Sequence, residues 1–292
     1  MKLTHRGNFA VTLAAATLLL GSACAASDDS DGDTSKGAVT LADCTPADLT
    51  LLTSGTLTIA TDDPAYDPWF SDSDPTNGKG FESAVAYAVA DKLGFDKTDV
   101  TWVKAGFNQA IQPGKKTFDF DINQFSISAD RKKAVDFSSP YYSAAQAIIT
   151  LDSSPFKGST SLADLKDAKL GAQIATTSLD AITNQIKPAA KPLVYDDTSK
   201  AAQALQNKQV DAIVADLPTA YYLAAAEIDG GVIVGQFQPT SGEQEQFGLL
   251  LSKDSTLTPC VNAAVDALAE DGTLQKLQDE WLTQATDVPE LK

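Results

Sequence analysis

The chain has 292 residues, 43% of them hydrophobic, and carries 22 Lys and Arg against 39 Asp and Glu, a net charge of −17. That is enough apolar material for one large domain or two medium ones, and too acidic to offer the basic face that a nucleic acid requires. The only histidine is His5 and the only arginines are Arg6 and Arg131.

Residues 1–23 read as a secretory signal. Lys2 and Arg6 precede an apolar stretch over 9–20, and Gly21-Ser22-Ala23 then leads directly to Cys24. A cysteine in that place fits the lipid-modified N-terminus of a bacterial lipoprotein, anchored to the outer face of the cell membrane. Cleavage removes Lys2 and Arg6 and takes the net charge two units further negative. It also removes His5, which excludes a Ser-His-Asp triad, a Cys-His pair and most zinc or copper centres. Residues 24–41 form an acidic, Ser/Gly-rich tether with Asp28, Asp29, Asp31 and Asp33 and no apolar periodicity.

The body starts near Leu41. Residues 55–61 alternate with period two, as a strand does. Phe81, Val85, Val89 and Leu93 recur at helical spacing and stop at Gly94. A strand over 100–103, a helix over 107–112 ended by Pro113-Gly114 and a strand over 118–123 complete a βαβαβ unit, hence an α/β lobe with a mostly parallel sheet. The order then restarts. Strands at 169–175, 193–196, 210–215 and 231–234 alternate with helices at 179–186 and 199–206, which makes a second α/β lobe. A strand over 247–251 and two helices within 261–282, broken at Asp271-Gly272, end the chain.

Two cysteines remain after Cys24, Cys44 and Cys260. Outside the cytoplasm such a pair is most simply a disulfide, and chain entropy over so long a loop is worth roughly 5 kcal/mol. The bond would return the C-terminal part to the first lobe. Lobe 1 is therefore expected to span 42–144 and 247–292 and lobe 2 145–246, with strands crossing near 144–148 and 246–249. Two crossings make a hinge, and the cleft between the sheets is where such folds bind ligands.

Seven ordered blocks carry a resemblance: Thr61-Asp62-Asp63-Pro64-Ala65-Tyr66-Asp67-Pro68-Trp69; Gly80-Phe81-Glu82; Phe107-Asn108-Gln109-Ala110-Ile111; Phe125-Ser126-Ile127-Ser128-Ala129-Asp130-Arg131; Val135-Asp136-Phe137-Ser138-Ser139-Pro140-Tyr141-Tyr142; Val210-Asp211-Ala212; and Asp271-Gly272-Thr273-Leu274 before Trp281. From about Thr56 to Leu282 the sequence resembles the bacterial extracellular solute-binding protein family 3, the amino-acid-binding components of ABC importers. The resemblance implies two Rossmann-like lobes joined by a two-strand hinge, the type II periplasmic-binding-protein arrangement. It also implies a monomer that needs no cofactor and whose partners are a small amino acid and a transporter permease.

It further implies roles. Arg131, the sole mature arginine, would clamp the ligand's α-carboxylate with two parallel hydrogen bonds. On composition alone it could equally stabilise its lobe by pairing with Asp136. Thr176 and Thr177, at a strand-to-helix junction, would grip the same carboxylate or simply cap the helix. Asp216 would accept the α-ammonium, its alternative being the N-cap before Leu217-Pro218. Ser126 and the backbone around Gln124 would complete the polar contacts, and Tyr66, Trp69 and Phe107 would wall the ligand's side chain unless they are ordinary core. Asp63 would disfavour an acidic ligand, leaving basic or amide side chains. Asn123-Gln124 replaces small residues common in relatives, which bears on pocket size. Rival readings are an amino-acid sensor and a dehydratase acting on prephenate-like acids. The latter needs a general acid at the substrate, and neither Glu243 nor Glu245 falls in a motif that would put it there.

Overall fold

The computed structural model describes residues 39–238, 244–282 and 288–292. The expected signal segment, the lipid-bearing Cys24, most of the tether and Glu243 lie outside the described residues.

The first βαβαβ unit forms as β1 (Leu57–Thr61), α1 (Phe81–Lys92), β2 (Val100–Lys104), the short α2 (Phe107–Ala110) and β3 (Phe120–Asp121). α1 begins where Gly80 holds a φ of +90°; a Cβ there would lie 2.5 Å from the Trp69 carbonyl oxygen, so only glycine fits. Its Phe81, Val85 and Val89 are fully buried, each worth about 1.5–3 kcal/mol. The long β4 (Val135–Ala144) follows, and after one residue, Ala145, the chain enters β5 (Gln146–Leu151) in the other sheet.

There it builds β6 (Leu170–Gln173), α3 (Thr177–Ala181) extended by a π-helical turn to Ile186, β7 (Leu193–Tyr195), α4 (Thr198–Gln206), β8 (Ala212–Asp216), α5 (Leu217–Tyr222) with a second π-helical turn, and β9 (Gly231–Phe237). β10 (Glu245–Ser252) returns to the first sheet, and α6 (Thr258–Glu270) and α7 (Thr273–Trp281) pack on it. The strand orders are β2-β1-β3-β10-β4 and β7-β6-β8-β5-β9. Both sheets are mixed. β1, β2 and β3 are mutually parallel, as are β6, β7 and β8, while β10 and β5 run against their neighbours.

Cys44 and Cys260 form a disulfide that ties the first turn to α6. One feature departs from expectation. Residues 288–292, assigned with lobe 1 on sequence, pack on the second sheet: Glu290 bridges Gln236, the Leu291 N–H donates to the Gln236 carbonyl, and Leu291 is buried in that lobe's core. The physical reason is Gly235 on β9. Its missing side chain admits Leu291, whose Cγ lies 2.5 Å from where a Cβ would be. The tail adds a third crossing, and no periodicity in so short a segment announces it.

Candidate functional site

The C-terminal ends of β1, β3, β6 and β8 face each other across the cleft, and most of the expected residues meet there. Tyr66, Phe107, Gln124, Ser126 and Arg131 from the first lobe and Thr176, Thr177 and Asp216 from the second line a single cavity.

Arg131 sits in a 3-10 turn before β4, with its guanidinium 5.4 Å above the Phe107 ring, which itself stacks on Phe125. Nη1 donates to the Ser126 carbonyl at 2.8 Å and Nη2 to the Ala175 carbonyl of the opposite lobe at 2.9 Å. Three of its five N–H donors thus remain for the cavity. Burial lowers its pKa, while Glu245, Asp180 and Asp216 act in the opposite direction. The alternative partner Asp136 is engaged by Lys253 at 2.9 Å.

Across the cleft, Ala175 adopts a left-handed φ of +61° that turns the chain into α3. Thr176 is that helix's N-cap: its Oγ1 accepts from the Leu179 N–H at 3.2 Å and donates to the Gln173 carbonyl at 2.7 Å. Its hydroxyl is therefore spent on capping. Thr177 stands free of that task, with Oγ1 3.2 Å from Ser126 Oγ across the lobes.

Asp216 ends β8 and makes no side-chain capping bond to α5. Its Oδ1 accepts instead from Gln146 Nε2 at 2.8 Å. Burial first, and the charge of Glu245 second, raise its pKa well above the usual carboxylate range. An unneutralised acid here is costly, so the position favours a cationic visitor.

Gln124 holds a strained φ of +45°, sustained by the buried Glu82, which accepts from both its backbone N–H and its Nε2 and from the Tyr141 hydroxyl. Burial pushes Glu82 up to about 7, against the pull of those hydrogen bonds. Tyr66 closes one end, its hydroxyl accepting from Ser199 Oγ of the other lobe at 3.3 Å.

Two expected residues are elsewhere. Trp69 is fully buried among Phe81, Tyr142 and Phe247 in the first lobe's core, and meets the cavity only through Thr219, whose Oγ1 accepts its indole N–H. Its aromatic bulk is core material, which spacing could not separate from a ligand wall. Asp63 turns outward, 58% exposed, and pairs with Lys104. The acid at the cavity is its neighbour Asp62, whose oxygens accept from the Asp63 and Phe107 N–H groups. Consecutive residues at a strand end point to opposite sides, and nothing in the local pattern marks which of the two enters the cleft. Gln146, Glu245 and Thr219 were also missed as parts of the site, since nothing local marks them.

Two five-stranded mixed sheets joined by crossing strands, with a ligand-sized cleft between their strand ends, define the type II periplasmic-binding-protein fold. Residues 57–284 match the model of the bacterial extracellular solute-binding proteins, family 3, and the chain belongs to that family. It is 29% identical over 219 residues to the L-cystine-binding protein TcyJ of Escherichia coli (strain K12), covering 74% of this chain and 79% of that protein. It is 27% identical over 223 residues to the arginine-binding extracellular protein ArtP of Bacillus subtilis (strain 168), covering 75% and 83% respectively. Among solved structures, an ancestral arginine-binding protein bound to glutamine is similar, with a TM-score of 0.65 and 31% identity over 80% of this chain and 100% of that one.

Proposed function

We propose that this protein captures an extracellular α-amino acid between its lobes and presents the closed, loaded form to the permease of an ABC importer. The observation that carries this reading is that a guanidinium from one lobe and a buried carboxylate from the other, Arg131 and Asp216, line one cavity. A zwitterion is the small molecule that satisfies both, and it can touch both only when the cleft is shut, so binding selects the closed state. Thr177 and Ser126, already within 3.2 Å of each other, supply further polar contacts.

Asp62 makes a basic or amide side chain preferable to an acidic one, the part first assigned to Asp63. A relative named for arginine and an ancestral one holding glutamine fit that preference, whereas the relative named for cystine binds a ligand with neither kind of side chain. We further propose that Cys24 carries a lipid anchoring the protein to the outer face of the cell membrane, that it acts as a monomer, and that it binds its ligand without turnover. A thermal-shift screen of the twenty amino acids and cystine tests the reading: at least one basic or amide ligand raises the midpoint by mass action. A flat response across the set would overturn it.

A further inference from the structure

Glu245 heads β10 at the crossing between the lobes, is 8% exposed, and does not line the cavity. Its Oε1 accepts from Ser126 Oγ, and its Oε2 accepts from Gln146 Nε2 at 2.8 Å. Gln146, 1% exposed at the head of β5, sends the same Nε2 to Asp216 Oδ1, also at 2.8 Å, while its Oε1 accepts from Ser178 Oγ at 2.6 Å. Both amide hydrogens of Gln146 therefore rest on carboxylates, and its orientation is fixed.

The consequence reaches the cavity by hydrogen-bond bookkeeping. Ser126 has one hydroxyl hydrogen, and Glu245, which as a carboxylate only accepts, takes it. Of the two hydroxyls 3.2 Å apart, Thr177 must then donate and Ser126 accept. Toward the cavity Ser126 is left with a lone pair and no hydrogen. Asp216, ionised when it faces a bound ammonium, likewise offers only acceptor sites there, because the donor it needs comes from behind, from Gln146.

We propose that Glu245 is a positioning residue that sets the hydrogen-bond polarity of the ammonium corner, turning Ser126 into an acceptor and Gln146 into a donor so that a bound amine meets acceptors alone. This rests on the amino-acid reading above. A neutral residue could tie the two crossing strands equally well and would spare Asp216 the repulsion that helps raise its pKa. The like charge is tolerated beside Asp216 because one amide bridges the two acids and Arg131 faces both.

Glu245→Gln keeps the size and breaks the polarity. If the new amide oxygen faces Gln146, its nitrogen points at Ser126 and drives the serine hydrogen off; if it faces Ser126, two amide nitrogens confront each other and Gln146 must turn its oxygen on Asp216. Calorimetry on the full chain first identifies which of the twenty amino acids and cystine the wild type binds most tightly, and the same ligand is then compared with its 2-hydroxy-acid analogue, which lacks the ammonium. We expect E245Q to bind the amino acid about tenfold or more weakly and to narrow its preference over the hydroxy acid by a similar factor. Equal weakening of both ligands, or none, would overturn the assignment. If E245Q does not fold, hydrogen exchange in the loaded wild type decides: the Gln146 side-chain amide hydrogens are slow if both rest on carboxylates, and fast exchange overturns the assignment. Failure of the wild type to bind any of the twenty amino acids or cystine would remove the amino-acid reading itself, and the assignment with it.

Discussion

The indole N–H of Trp69, rooted in the first lobe's core, donates to Thr219 Oγ1 of the second lobe at 2.8 Å. This bond exists only while the lobes are together, so it stabilises the closed state specifically. Thr219→Val keeps the shape and leaves the indole donor buried without a partner, at about 1–3 kcal/mol. Ligand affinity should fall about five- to a hundredfold, while the midpoint of the ligand-free protein hardly moves. An unchanged affinity would show that the closed state does not depend on this contact.

Arg131 makes a sharper case. Its two carbonyl contacts, one in each lobe, hold the guanidinium plane, and a lysine at this position cannot present a planar fork to a carboxylate. Arg131→Lys should weaken amino-acid binding by at least about tenfold and Arg131→Ala by more, with little change in the ligand-free midpoint. Calorimetry with the preferred ligand measures this, and full affinity in the lysine variant would refute the clamp.

Asp62 and Asp63 form a matched pair of probes. Asp63 is at the surface with Lys104, where an exposed ion pair is worth about 0–1 kcal/mol, so Asp63→Asn should leave binding alone. Asp62→Asn removes the negative charge that lines the cavity. It also disturbs the N–H contacts of Asp63 and Phe107, so the decisive quantity is a ratio: affinity for arginine relative to glutamine should drop about fivefold or more. A drop in the Asp63 variant instead would reverse the assignment.

Much of this architecture was legible because α1 repeats its apolar residues at helical spacing and β1 and β8 are short β-prone runs bounded by turns, although both strands are buried on both faces. The ends of strands were less so. Whether Asp62 or Asp63 enters the cleft depends on one residue of phase, and Trp69 is core or ligand wall according to tertiary packing alone. Gln146 and Glu245 are further removed, because their roles arise only when two crossing strands from distant parts of the chain are set side by side. The tail at 288–292 illustrates the same limit: a five-residue segment carries no period, and its place is set by the notch at Gly235.

The Cys44–Cys260 disulfide closes a separation of 216 residues, and neither cysteine lines the cavity. Replacing both cysteines by alanine should lower the stability of the ligand-free protein by about 3–5 kcal/mol through the unfolded chain's entropy. Affinity at a temperature where the variant stays folded should remain within about twofold. Denaturant unfolding and calorimetry together separate the two effects, and a large affinity loss would mean that the bond shapes the cleft.

Glu82 gives the protein a pH signature. Buried beside Tyr141 and Gln124, it titrates near 7 in the folded state against an ordinary value of 4.5, burial outweighing the hydrogen bonds that pull it down. Because the folded form holds the proton more tightly, its contribution to stability is complete below about 4.5 and is lost as the pH rises through about 7. At 1.36 kcal/mol per pH unit the loss is about 3 kcal/mol. The protonated form is accommodated if the Gln124 amide turns to present its oxygen, since all three present partners are donors. Glu82→Gln does not titrate. Comparing denaturant unfolding of wild type and variant from pH 4 to 8, the wild type's stability relative to the variant should decline steadily toward neutral pH. A flat or rising difference would mean that the carboxylate is ionised throughout, held so by its three hydrogen bonds.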